Sequence, residues 1–263
     1  MAKLLAGRCA LVTGAGQGVG QGIARALAAA GANLLIAQRR AAEAEREAAY
    51  LRSQFGTDVI SLATDVTHRE EVERMVERAR SHFGRLDILV NNAGASFPKR
   101  LEKHTDEEMA GSFDLNFWAV FRAMRAAFPI MRQQGYGRII NVGSLNGVNA
   151  HMFTAAYNAS KEAVRALSRT AAVEWASHGI TVNVICPAST SPQAEEYFAA
   201  NPEMLKAMLQ QIPVGRMGRP EQDIGPIAVF LASEASGYMN GNTLFVDGGS
   251  HINGVAWRPS VEE

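Results

Sequence analysis

Short apolar runs alternate with longer amphipathic stretches along the whole chain. Runs rich in Val, Ile, Leu and Ala fall near residues 8–13, 33–38, 58–64, 86–91, 137–143, 180–186 and 243–247. They show little polar alternation, which predicts strands covered on both faces. Helical three- and four-residue spacings fill the segments between them. Strand–helix alternation predicts an α/β fold: a doubly wound parallel sheet of about seven strands, with right-handed crossovers and helices on both faces. The ligand crevice of such a sheet lies at the C-terminal edge of its strands, where Gly14, Asp65, Asn91, Ser144 and Pro187 would emerge.

Two helical patterns carry more detail. Phe113, Phe117, Val120, Phe121, Met124, Phe128 and Met131 form an apolar stripe that is either core or interface, and Pro129 is expected to bend or end that helix early. The alanine-rich stretch from Ala155 to His178 should stop at Gly179, a suitable C-terminal cap. No linker interrupts the 263 residues, so residues 1–263 read as one domain.

Chemistry enters with Tyr157 and Lys161. Four residues apart on a helix, they share a face, where an ammonium can stabilise a phenolate. Bringing a phenol from a pKa near 10 to about 7 requires roughly 4 kcal/mol of differential stabilisation, and cations are the usual source. Alone, the spacing is more often a surface helix with a half-buried ring. Here Ser144 lies upstream at the end of a strand-like run, where its hydroxyl can bind a substrate oxygen. Near the N-terminus, Gly14-Ala-Gly-Gln-Gly-Val-Gly20 separates a strand from an alanine-rich helix, which is the arrangement of a phosphate site as well as of a plain tight turn. The spacing uses Gly14, Gly18 and Gly20 and departs from GxGxxG because position 19 is valine.

Thr13-Gly-Ala-Gly-Gln-Gly-Val-Gly20, Asn91-Asn-Ala-Gly94, Asn116, Ser144 and Tyr157-Asn-Ala-Ser-Lys161, in this order and spacing, make the chain resemble the short-chain dehydrogenase/reductase family from about Leu5 to Gly249. The resemblance implies a Rossmann-like sheet and a ketone/alcohol oxidoreductase. It casts Tyr157 as general acid/base and Ser144 as the group that orients the substrate oxygen. Lys161 would bind the nicotinamide ribose and lower the Tyr157 pKa, and Asn116 would hold a water linking Lys161 to solvent. It further implies cofactor contacts from Gly14, Gln17, Gly18, Val19 and Gly20, from Gln38 and Arg39, from Asp65 and Val66 at the adenine, from Asn92 and Gly94, and from Pro187 and Thr190. Read locally, Asn116 is a helix polar residue, Asp65 a helix N-cap, and Arg39 and Arg40 solvated side chains.

Cofactor choice turns on Leu34-Leu-Ile-Ala-Gln-Arg-Arg40. A carboxylate at the end of the second strand favours NAD, whereas this chain has Gln38 followed by Arg39 and Arg40, which tilts the expectation to NADP(H) over NAD(H). Gln17 stands where NADP-binding members often have a second basic residue. Two departures bear on the nicotinamide amide: Pro187 is followed by Ala188, and Pro192 replaces a hydroxyl, leaving Thr190 or Ser191 as substitutes.

The segment 191–217 reads as a substrate lid, with Tyr197, Phe198, Met204, Leu205, Met208 and Leu209, several of which fit equally as core. The family pattern places Phe97, His151, Met152 and Phe153 near its mouth, with His151 and Phe153 touching substrate. The expected substrate is a small apolar ketone or alcohol: a steroid, a cyclic or aryl ketone, or an acyl chain. A lyase or epimerase, and a non-catalytic cofactor sensor, are the alternatives.

Charge and composition narrow the partners. With 26 basic and 26 acidic residues and no basic stripe, neither nucleic acid nor an anionic membrane is expected. Cys9 and Cys186 read as reduced core thiols, and the N-terminus lacks a signal-length apolar stretch, so a cytoplasmic location is expected. His68, His82, His104 and His178 read as solvated, and no metal site is expected. The two helical faces, the final strand and the tail at 250–263, which carries Trp257, lead to the expectation of a homotetramer, as does the resemblance.

Overall fold

In the computed structural model, residues 3–190, 196 and 198–252 are described. The strands are β1 (Cys9–Thr13), β2 (Asn33–Gln38), β3 (Val59–Ala63), β4 (Ile88–Asn91), β5 (Gly137–Val142), β6 (Ile180–Pro187) and β7 (Thr243–Val246). Each falls within two residues of its expected run. They form one parallel sheet in the order β3-β2-β1-β4-β5-β6-β7. The chain leaves β1 toward β2 and β3, then returns to build β4 onward on its other side. The crevice of the doubly wound fold therefore opens between β1 and β4.

The central strands are largely apolar because both faces are covered, whereas the edge strands β3 and β7 are only partly buried. Ala10 and Val12 of β1 join the core beneath α1 (Gly18–Ala29), α2 (Ala41–Phe55) and a C-terminal helix, while Leu11 joins the core on the other side. That second core is capped by α3 (Arg69–Phe83), α5 (Ala119–Gln134) and α7 (Ala155–Trp175). The chain order between is α4 (Asp106–Phe113), α5 (Ala119–Gln134), α6 (Leu145–Val148), α7 (Ala155–Trp175), α8 (Pro202–Gln211) and α9 (Gly225–Ala232), the last being the helix over the first core. Both cysteines lie buried and free in β1 and β6, and burial pushes each thiol up to about 11.

The apolar stripe turns out to serve both roles. Val120, Met124 and Met131 are core, whereas Phe117, Phe121 and Phe128 are only partly covered; Phe117 and Phe121 lie beside half-exposed Trp118, and Phe128 stacks on Trp175. Pro129 does not end its helix: α5 runs to Gln134 and is closed by left-handed Gly135. Pro129 and Arg125, whose carbonyl loses its helical donor, both face solvent, while Ala127 and Met131 anchor the opposite side. A π-helical turn, Asp114–Trp118, joins α4 to α5 and carries Asn116. The α7 segment ends as expected, through a 3₁₀ turn to left-handed Gly179. Among the described residues, no helix is long and apolar enough to cross a membrane.

Candidate active site

The glycine turn is held against the neighbouring strand end by side chains. Thr13 Oγ1 accepts from the backbone N–H groups of Asn92 and Ala93, both at 3.0 Å. In return the Asn92 amide donates to Thr13 O and Gly14 O, at 2.9 and 3.1 Å. Gly14 adopts φ +68°, and a Cβ there would sit 2.9 Å from the Asn92 amide nitrogen, so both conformation and space require glycine. A Cβ on Gly18 would meet nothing within 4 Å, so the start of α1 faces open space, and Gln17 supplies no side-chain cap to its N–H groups. An uncapped helix start beside a glycine turn is a cradle for phosphate.

A cavity of about 390 Å³ runs from this cradle along the sheet edge. Its wall includes Gly14, Gln17, Gly18, Val19 and Gly20, then Gln38 and Arg39, Asp65 and Val66, and finally Asn92 and Gly94. The residues expected to hold a dinucleotide are thus brought together, and the cradle, the length of the cavity and the arginines at its far end suit one. Asp65 is half-buried. Burial raises its pKa, but the hydroxyl and amide of Thr67 outweigh this, with His68 and Arg39 adding, and hold the carboxyl below its usual range. Pro187 closes β6 opposite Val246, with Thr190 just beyond; neither belongs to the wall of this cavity. Ser191, Pro192 and Tyr197 of the expected lid, and Trp257 of the tail, lie outside the described residues.

Lys161 and Tyr157 share a face of α7 as their spacing predicted, yet their relation differs from expectation. Lys161 is 2% exposed, its Nζ donates to Val142 O at 2.8 Å, and it lies 5.6 Å from the centre of the Tyr157 ring. Burial lowers the ammonium pKa to about 8. Burial likewise pushes the Tyr157 phenol up, against the opposing effect of a hydrogen bond with Ser144, so the two residues by themselves do not produce the expected depressed phenol. Of the three ammonium protons, one is accounted for within the protein.

Ser144 caps α6, accepting from Asn146 N, and is positioned by the end of β5. Behind it, a buried chain of amides locks the scaffold: Asn91 donates to Asn141, which donates to Ser168 of α7, both at 2.8 Å. Asn116 is fully buried in the π-helical turn. Its Oδ1 accepts from Ala95 N, and its Nδ2 donates to Ala95 O and Ser112 O. It pins the loop after β4, and a Cβ on Gly94 would lie close to both Asn116 and Lys161.

A second cavity, of about 420 Å³, lies beside Tyr157. Its wall includes Phe97, Pro98, Ala156 and Tyr157 together with the polar side chains of Lys99, His104, Glu108 and Ser112. His151 and Phe153 are exposed and lie outside that wall. Their loop is tied to the segment before α4, where Lys99 N donates to Phe153 O. It contains Ala150 and Phe153 at φ 50° and 66°, strained for residues with a Cβ. His104, expected to be solvated, has a side chain only 6% exposed, with neither ring nitrogen hydrogen-bonded and Nδ1 3.7 Å from Glu108. Sequence reasoning passed over Lys99 and Glu108 as well. Thr105-x-x-Glu108 was the available signal: it forms a capping box, and Glu108 also pairs with Lys99 at 2.6 Å.

Known proteins resemble this chain along most of its length. The family model described as "Enoyl-(Acyl carrier protein) reductase" matches residues 14–251. A 12alpha-hydroxysteroid dehydrogenase of Clostridium sp. is 36% identical over 250 residues, spanning 92% of this chain and 96% of the relative. A rhamnolipids biosynthesis 3-oxoacyl-[acyl-carrier-protein] reductase of Pseudomonas aeruginosa is 38% identical, spanning 94% and 98%. Among solved structures, the Pseudomonas aeruginosa RhlG/NADP active-site complex superposes with a TM-score of 0.88 at 37% identity, covering 95% of this chain and 98% of that one.

Proposed function

The chain belongs to the short-chain dehydrogenase/reductase family and is an oxidoreductase of the ketone/alcohol type, and we propose that it works on an apolar ketone or secondary alcohol with NADP(H) preferred to NAD(H). One observation carries the reading. A fully buried ammonium, its Nζ donating to Val142 O, stands 5.6 Å from the centre of the Tyr157 ring, with Ser144 at the end of β5 lowering the same phenol against the effect of burial.

In the direction of reduction, Ser144 and Tyr157 hold the substrate carbonyl oxygen between their hydroxyls. A reduced nicotinamide, when bound, would supply the hydride that the carbonyl carbon accepts. Tyr157 releases its proton to the oxygen as negative charge develops there, and the alcohol leaves neutral. Lys161 holds ribose hydroxyls with its two free protons, and its charge beneath the ring favours the phenolate that remains. Asn116 keeps the loop through Gly94 and Ala95 in register with that ammonium. In oxidation the same groups act in reverse, with Tyr157 taking the hydroxyl proton.

Substrate class is supported by the cavity beside Tyr157 and by relatives named for steroid and 3-oxoacyl substrates. NADP(H) is supported by Arg39, which makes no ion pair among the described residues and lines the cofactor cavity, and by the relative named as an NADP complex. A panel of steroidal, cyclic, aryl and 3-oxoacyl ketones, each with both reduced cofactors, tests this through loss of nicotinamide absorbance. Tyr157→Phe should abolish turnover of the best substrate and leave cofactor affinity within about twofold. More than a tenth of wild-type kcat/KM in that variant would show that Tyr157 is not the acid/base.

A further inference from the structure

The two residues that follow Gln38 are not equivalent. Arg39 is exposed and makes no hydrogen bond or ion pair among the described residues, while Arg40 is tied down by Glu43 in the first turn of α2. Glu43 Oε1 accepts from Arg40 Nε at 2.7 Å. Its Oε2 accepts from Gln38 Nε2 at 3.0 Å. The Gln38 amide is in turn pressed against the glycine turn, since a Cβ on Gly16 would lie 3.0 Å from Nε2. The Glu43 side chain is 21% exposed, and a carboxylate in the first turn of a helix is favoured by the backbone N–H groups there. One carboxylate, five residues beyond the strand end, therefore organises both side chains that flank Arg39.

We propose that Glu43 is a specificity-determining residue for the adenosine end of the cofactor. It acts as a counter-charge that occupies Arg40, so that Arg39 alone is free to meet a 2′-phosphate. The inference rests on the NADP(H) reading above and sets its limit: Arg39 and Arg40 bring two positive charges to that end of the cavity, Glu43 and Asp65 two negative, and the sum is zero. A 2′-phosphate, carrying nearly two negative charges, gains little net attraction from such a set. The wild-type preference for the phosphorylated cofactor is therefore modest. Removing the Glu43 charge would release the Arg40 fork and leave the site at +1.

The test is direct binding of two fragments that differ only in that phosphate, adenosine 2′,5′-bisphosphate and adenosine 5′-monophosphate. Calorimetric titrations would use the full-length wild type, Glu43→Gln and Arg39→Ala, each first checked by thermal melting. Glu43→Gln keeps the size and acceptor oxygen of the side chain. It should tighten the bisphosphate about tenfold while moving the monophosphate less than about twofold. Equal changes for both fragments, or none, would overturn the role of Glu43. Arg39→Ala should weaken the bisphosphate about tenfold and spare the monophosphate. If it spared both, the NADP(H) reading would fall on its own, and the Glu43→Gln ratio would still decide whether Glu43 restrains Arg40. Should Glu43→Gln fail the melting check, Glu43→Ala replaces it with the same two criteria.

Discussion

Replacing Lys161 with methionine should stabilise the protein in the absence of cofactor while destroying its activity. The ammonium is 2% exposed, and burial lowers its pKa from an ordinary 10.5 to about 8. Below pH 8 lysine is protonated in both folded and unfolded chains, and the folded chain bears the full penalty, about 3 kcal/mol by linkage. Between pH 8 and 10.5 the unfolded chain binds more protons, so stability rises with pH; at pH 10 about 1 kcal/mol of penalty is left. Methionine fills the same unbranched volume without charge. It strips Val142 O of its donor, which costs about 1–2 kcal/mol. The variant should thus be more stable than wild type by about 1–2 kcal/mol at pH 7, and the advantage should vanish by pH 10. The buried thiols of Cys9 and Cys186, pushed up to about 11, make both proteins lose stability above pH 9, so only the difference between them reports on Lys161. Urea unfolding at the two pH values, with kcat/KM alongside, provides the measurement. A variant less stable than wild type at pH 7, or a gap unchanged between pH 7 and pH 10, would refute the burial argument.

Two further outcomes follow from the geometry. Ala150→Gly should raise stability by about 1 kcal/mol, because an exposed residue at φ 50° loses no packing and sheds left-handed strain; an unfolding midpoint that fell would show the strain to be absent. The partly covered aromatic face of α5, with Trp118 41% exposed and Val173 of α7 80% exposed, supports assembly as a homotetramer, so light scattering should give about four times the 28.3 kDa of one chain, against which a monomer mass would count decisively.

What could be read in the sequence was what depends on local pattern. The central strands are apolar runs because burial on both faces demands it, and Tyr157, Lys161, Ser144 and the glycine turn stand at positions fixed by helix periodicity and strand ends. Pro129 was misleading because a missing helix donor matters only if its acceptor is buried, and exposure is a property of the fold. His104 looked solvated because its neighbours in sequence are polar, whereas its neighbours in space are Glu108 and the wall of a cavity. The Tyr157 phenol was judged from a nearby cation, but burial, which spacing cannot show, raises the phenol and lowers the ammonium together.

Those two opposed shifts explain how the pair divides its work. A phenol raised by burial keeps its proton until something stabilises the phenolate, and an ammonium pushed down to about 8 remains mostly charged at neutral pH while lacking partners for two of its protons. Ribose hydroxyls placed on those protons would restore its charge, raise its pKa and strengthen the field on Tyr157, so the acid/base becomes competent when cofactor is in place. This makes a pH profile informative. The alkaline limb of kcat/KM for alcohol oxidation at saturating cofactor should lie above pH 8, the value that burial alone gives Lys161, because the bound ribose holds the ammonium charged. A limb at pH 8 that stayed in place when cofactor was raised from limiting to saturating would mean that the ribose does not engage Lys161, and the proposed division between proton donor and charge holder would fail.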